Sequence, residues 1–168
     1  MTAPLVVTLL LAADPQRTFD RLRAEHFPPE RNHVAAHVTL FHALPGEHLA
    51  TVSADLYAAA QRPPFGVAVT GLRLLGRGVA FTLRSPELAE LREGLASGWR
   101  TWLTRQDQQR HSPHVTVQNK VEPATARLLH ERLGAAFVPW TAPARGLGLW
   151  RYLGGPWEPV AEHPFLHP

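Results

Sequence analysis

One tetrapeptide pattern occurs twice, once in each half of the chain: His37-Val38-Thr39-Leu40 and His114-Val115-Thr116-Val117. With ten histidines in 168 residues, far fewer than one His-Val-Thr would arise by chance, so the pair reads as an internal duplication. The fold must therefore offer two similar units, each presenting one copy. On a strand, successive side chains point to opposite faces. His37 and Thr39 then share one face while Val38 and Leu40 share the other, and the same holds for His114 and Thr116 against Val115 and Val117. Each copy is expected to be a half-buried strand with its apolar side on its own helices. Two units facing each other would bring two imidazoles and two hydroxyls into one cleft.

The remaining patterning supports such an arrangement. An apolar run, Leu5 to Ala13, reads as a buried strand. It is too short for a membrane span and lacks a preceding cation, so a signal peptide is the poorer reading. Asp14-Pro15 reads as an N-cap and first helical residue, followed by Phe19, Leu22, His26 and Phe27 at helical spacing up to Pro28-Pro29. A strand is expected over Val34 to Leu44 and a helix over His48 to Gln61. Strands near 65–74 and 79–83 flank a Gly76-Arg77-Gly78 turn. Ser85-Pro86 opens a third helix whose stripe of Leu88, Leu91, Leu95, Trp99, Trp102 and Leu103 reads as core. Arg105 to Ser112 is polar and loop-like. A strand His114 to Val121 follows, then a helix from Glu122-Pro123 with Leu128, Leu129, Leu133 and Phe137 inward. Two last strands, about 144–152 and 157–163, meet at Gly154-Gly155-Pro156. No linker divides the chain, so residues 1–168 are read as a single α+β domain. Its two pseudo-symmetric lobes are each an antiparallel sheet with outer helices, around a central cleft.

Composition removes several chemistries. The chain has no cysteine, which excludes disulfides, thiolate metal sites and cysteine nucleophiles. Lys+Arg is 17 against 14 Asp+Glu, a net charge of +3. The sequence pI of about 10.2 reflects an arginine-rich set of cations more than a large excess charge. That balance suits a small anion or an RNA end better than a long duplex. No HExxH, G-x-S-x-G, P-loop or dinucleotide glycine pattern occurs. Metal is the main rival chemistry in a chain this rich in histidine, yet no Asp or Glu stands in either motif.

Two imidazoles across a cleft suit a reaction in which one proton is removed and another supplied. Opening a phosphodiester is such a reaction, with one histidine activating the nucleophile and the other protonating the leaving oxygen. Threonine hydroxyls can hydrogen-bond the non-bridging oxygens, where charge builds up. No cofactor is required.

These two His-x-Thr-x motifs resemble those of the 2H phosphoesterase superfamily, closest to its 2′–5′ RNA ligase and RNA 2′,3′-cyclic phosphodiesterase branch. The opening strand, the proline before the second motif and the terminal pair of strands fit the same resemblance. It implies two lobes around a cleft, a metal-independent catalytic set of His37, Thr39, His114 and Thr116, and hydrolysis of a 2′,3′-cyclic phosphate to a 2′-phosphate. His114 is favoured as base and His37 as acid, although the pseudo-symmetry leaves the reverse open. Reversible 2′–5′ ligation of RNA at the same site, or binding of a nucleotide without turnover, are the alternatives.

Relatives often carry an arginine five residues after the second motif histidine, and here that position is Asn119. Alternation from His114 puts Gln118 and Lys120, the only lysine, on the cleft face, so these are the expected substrate contacts. Phe41 follows Thr39 on the same reasoning and could stack on a base. Arg110 and Arg31 are possible phosphate or ribose contacts, while His42 and His111 read as surface or loop residues. The expected partner is an RNA end or nucleotide, handled by a cytoplasmic monomer with no metal and no membrane.

Overall fold

Seven strands form one antiparallel sheet in the computed structural model, which describes residues 2–167. In chain order these are β1 (Leu5–Leu11), β2 (Val38–Leu44), β3 (Phe65–Leu74), β4 (Val79–Arg84), β5 (His114–Gln118), β6 (Trp140–Tyr152) and β7 (Trp157–Pro164). The helices are α1 (Ala13–His26), α2 (Leu49–Ala59), α3 (Pro86–Gly98), α4 (Arg105–Gln108) and α5 (Pro123–Ala136). The apolar opening run is β1, buried at every position.

Strand order is β2-β1-β6-β3-β4-β5, with β7 added to the outer part of β6. Exchanging the first three strands for the next three turns this order into its own reverse. The duplication seen in the motifs is therefore a duplication of a β-α-β-α-β unit, with α4 and β7 as additions. The last strand of each unit pairs with the first strand of the other: β3 with β4, and β6 with β1. The two expected lobes are thus halves of one sheet joined along β6, whose first residues pair with β3 and whose later ones pair with β1 and β7. The two ends of the sheet, β2 and β5, are the motif strands, and they curl towards each other. Helix α1, from the first unit, packs on β5 of the second.

Most element boundaries follow the patterning, and the departures have physical causes. Helix α1 begins at Ala13, so Asp14 lies in its first turn and pairs with Arg17 there instead of capping. Ser85 does cap α3, accepting from the Leu88 amide at 3.1 Å. The chain from Val34 to His37 is irregular, and the first motif strand starts at Val38. The polar stretch before β5 contains the short α4, capped by Thr104. On α5, Leu128 is 58% exposed while Ala126 and Leu129 face the core. Strand β5 ends at Gln118, because Lys120 adopts a left-handed backbone with φ of 62°. The turn before β4 also presses on this point: a Cβ on Gly78 would lie 1.9 Å from the Gln118 carbonyl oxygen.

Candidate active site

The two motif strands share a local irregularity that simple alternation cannot foresee. Thr8 pairs with Thr39 but Val7 pairs with Phe41, so Leu40 is an extra residue in β2. Likewise Ala80 pairs with Thr116 but Val79 pairs with Gln118, so Val117 is extra in β5. Each motif threonine is followed by a β-bulge, which bends the strand and turns the next residue to the opposite face. His37, Thr39, His114 and Thr116 are half-buried, whereas Leu40, Phe41, Val117 and Gln118 all point inward.

This overturns two expected substrate contacts. Phe41 is 0% exposed, its ring 5.0 Å from Trp99 and covered by the Arg92 guanidinium at 4.4 Å. It has no free face on which a base could stack. Gln118 is 4% exposed, and its Oε1 accepts no hydrogen bond. Lys120 is exposed, but the strand has ended before it. At about 3.3 Å per residue, the end of β5 already lies roughly 13 Å from His114. Alternation therefore does not carry Lys120 to the cleft face. Arg110 is exposed in the loop that precedes β5. Arg31 is exposed at the end of a 3₁₀ turn before β2.

Both motif histidines are held in the same way. Nδ1 of His37 lies 2.8 Å from the Ala35 carbonyl oxygen, and Nδ1 of His114 lies 2.9 Å from that of Ser112, each two residues upstream. A carbonyl can only accept, so each Nδ1 carries the hydrogen and each neutral ring keeps its Nε2 lone pair. Among the described residues neither Nε2 has a protein partner. His37 is close enough to His114 to feel its charge. Burial lowers the His37 pKa to about 4, with the charges of Arg23, His114 and His42 acting in the same direction. The His114 pKa is lowered as well, first by burial and then by Arg73 and His42. At neutral pH both imidazoles are neutral.

Arg73 is the residue that reading along the motifs missed. It pairs with Ala80 of β4, which pairs with Thr116 of β5, so it shares the face of the motif side chains. Its Nη2 stands 3.5 Å from His114 Nδ1 and its Nη1 3.4 Å from Ser112 Oγ. Since Nδ1 already donates to Ser112, guanidinium and ring are neighbours without a hydrogen bond between them. No carboxylate pairs with Arg73 among the described residues. The vacancy at Asn119 was the sequence signal that a cation must come from elsewhere. Trp157 is the second missed residue, its ring 4.5 Å from that of His37 and 6.0 Å from Trp150.

Each motif strand lies at a sheet end, so its outer backbone groups need partners from outside the sheet. They come from the opposite half. His111 Nε2 donates to the Thr39 carbonyl at 2.9 Å, and Arg23 Nη1 donates to the Thr116 carbonyl at 2.9 Å. The bulged part of β2 is held further by two buried charges. Asp107 accepts from the backbone amides of His42 (2.9 Å) and Ala43 (3.2 Å) and from His42 Nδ1 (2.9 Å). Burial alone would raise the Asp107 pKa, but those hydrogen bonds outweigh it and hold the carboxylate ionised. Arg92 donates to the carbonyls of Leu40 (3.2 Å) and Asp107 (2.7 Å). His42 and His111 are thus tied into the site's frame. Among the described residues no three His, Asp or Glu side chains converge to hold a metal ion, and no helix is long and apolar enough to cross a membrane.

Solved structures of known proteins share this architecture. LigT of E. coli, in a crystal structure with 3′-AMP, is 20% identical, with 99% of this chain and 100% of that one covered and a TM-score of 0.64. TT0787 of Thermus thermophilus is 17% identical over 96% and 97% of the two chains, with a TM-score of 0.68. A protein described only as a phosphoesterase is 21% identical over 99% and 100%, with a TM-score of 0.65. At these identities the likeness is one of fold. Comparison with curated protein sequences finds no match. The family model described as "2'-5' RNA ligase superfamily" matches residues 11–156, a span that includes both motifs and most of the sheet. By that match the chain belongs to the 2′–5′ RNA ligase superfamily of 2H phosphoesterases.

Proposed function

We propose that the protein is a metal-independent phosphodiesterase that opens a 2′,3′-cyclic phosphate on an RNA end or nucleotide to a 2′-phosphate. The observation that carries this reading is the matched pair of imidazoles, each fixed through Nδ1 with Nε2 left free. In the proposed step His114 Nε2 takes a proton from water, whose oxygen forms a new bond to phosphorus. The P–O3′ bond breaks, and His37 Nε2–H gives its proton to the departing 3′ oxygen. The products are a 2′-phosphomonoester and a 3′-hydroxyl, with the acid now neutral and the base protonated.

A base must start neutral, and burial with Arg73 alongside keeps His114 in that state. Thr39, Thr116 and Arg73 contact the non-bridging oxygens, and Trp157 offers the aromatic surface that Phe41 does not. His37 acquires its proton in the complex, where the phosphate's negative charge favours the imidazolium. The name of the matching family keeps 2′–5′ ligation, the joining of two RNA ends at the same site, as the second reading.

Turnover of a nucleoside 2′,3′-cyclic monophosphate in EDTA tests the proposal. Wild type should be active, and His37→Ala and His114→Ala should each lose roughly 10²-fold or more in rate. Chromatography should identify the 2′-phosphate. Activity abolished by the chelator, or retained in both variants, would overturn the mechanism. Incubating RNA halves with the same proteins would reveal ligation.

A further inference from the structure

Beside the His114 end of the cleft lies a groove of about 1260 Å³ that takes no part in the chemistry above. The end of β4, one side of α3, Arg100 in the 3₁₀ turn behind it, the end of α4 and the loop before β5 form its walls. It adjoins the candidate site along the chain. Ser112 and Pro113 line it and immediately precede His114, and the Leu83 amide bonds the Pro113 carbonyl at 3.0 Å. Thr70, also in the groove, shares a 2.8 Å hydroxyl contact with Thr82, the residue paired with His114.

The lining carries four arginines, Arg84, Arg92, Arg100 and Arg110, against two carboxylates, Glu93 and Asp107. Arg92 is spent on backbone carbonyls and Asp107 on backbone amides. That leaves Arg84, Arg100 and Arg110 against Glu93 alone, the three arginines all exposed and none in an ion pair among the described residues. Unpaired guanidinium groups along one groove call for an anion with several charges spaced along its length. The volume points the same way, because pockets for single small molecules run to roughly 300–1,000 Å³. The bidentate geometry of guanidinium suits phosphates in particular.

We propose that this groove carries the RNA strand leading to the reacting end, with Arg84, Arg100 and Arg110 on its backbone phosphates. The proposal rests on the cyclic-phosphate reading and makes an RNA end, instead of a free nucleotide, the preferred substrate. The test uses a short fluorescein-labelled single-stranded RNA ending in a 2′-phosphate, with binding followed by anisotropy across a salt series. The double substitution Arg84→Gln, Arg100→Gln should weaken binding about 10-fold or more and flatten the log–log salt slope by about 1.4, roughly 0.7 per lost phosphate contact. Turnover of the cyclic mononucleotide should be unchanged in that variant. Unchanged RNA affinity and slope would overturn the groove assignment. So would a polyglutamate peptide that binds as tightly and loses as much, since the groove would then serve an acidic protein. Loss of mononucleotide turnover in wild type would sink the cyclic-phosphate reading, while RNA anisotropy would still decide the groove.

Discussion

The two motif strands carry the same tetrapeptide and the same bulge, yet their neighbours differ in kind. Around β2, charge is spent on structure: Asp107, Arg92 and His111 satisfy the backbone from Thr39 to Ala43, and the His37 ring rests against Trp157. Around β5, a single brace from Arg23 reaches the Thr116 carbonyl, and the remaining cation, Arg73, has no carboxylate partner. The two strands are topologically equivalent, and the residues around them make them different. One is a braced, partly aromatic wall and the other carries an unpaired cation. The proposed substrate, a phosphate with a base attached, would use both.

That contrast can be broken first at its braces. Asp107→Ala orphans the amides of His42 and Ala43 and leaves Arg92 without its neighbouring charge. It should cost about 3 kcal/mol of stability, read from chemical denaturation. Arg23→Met removes one charged brace but keeps packing, and should cost about half as much. Equal losses would mean the two strands are braced alike.

Arg73→Gln should sharpen the electrostatic side of the comparison. It is expected to lower kcat/KM for a cyclic phosphate roughly 10-fold, mainly through KM, and to raise the His114 pKa. Lys120→Ala, measured beside it, should change KM far less. A reversal of that order would return the phosphate contact to the strand end.

The pH profile follows from the directions of the histidine shifts. A base must be neutral and an acid protonated, so kcat/KM peaks between the two free-protein pKa values. With His37 at about 4 and His114 below 6.5, the maximum should fall on the acid side of pH 6.5. A maximum above pH 7 would contradict the lowering of both pKa values by burial. Stability moves in the opposite sense to protonation. Between pH 6.5 and 4 the unfolded chain binds more protons than the folded one, so Tm should fall on acidification, and less so in His37→Gln.

The smallest expected effect is at Lys120. Lys120→Gly relieves a left-handed backbone and should stabilise the protein by about 1 kcal/mol. A destabilised variant would mean that the lysine side chain has a role its exposure conceals.

Much of this was legible in the chain. The half-buried setting of the four motif residues, the capped α3 and the apolar stripe of Leu88, Leu91, Leu95 and Trp99 could be read from spacing alone. What failed was alternation carried past Thr39 and Thr116. A bulge inserts one residue without any composition signal, and it turned Phe41 and Gln118 into core. Leu128 misled because several apolar residues crowd α5 and only some of them fit its inward stripe. Arg73, Trp157 and Asp107 were invisible for another reason. They reach the site through strand pairing or from the other half, and one-dimensional spacing holds no record of either.

The exchange of closing strands between the halves also sets the order in which the chain can become native. Strand β1 is synthesised before its central partner β6, which follows roughly 130 residues later. At about 5–20 residues per second, an apolar strand waits on the order of ten seconds with one edge unpaired. The stretch most exposed to misassembly is therefore the one that ends up most deeply buried. Neither half of this molecule completes its own sheet, so the sheet can close only after β6 has left the ribosome.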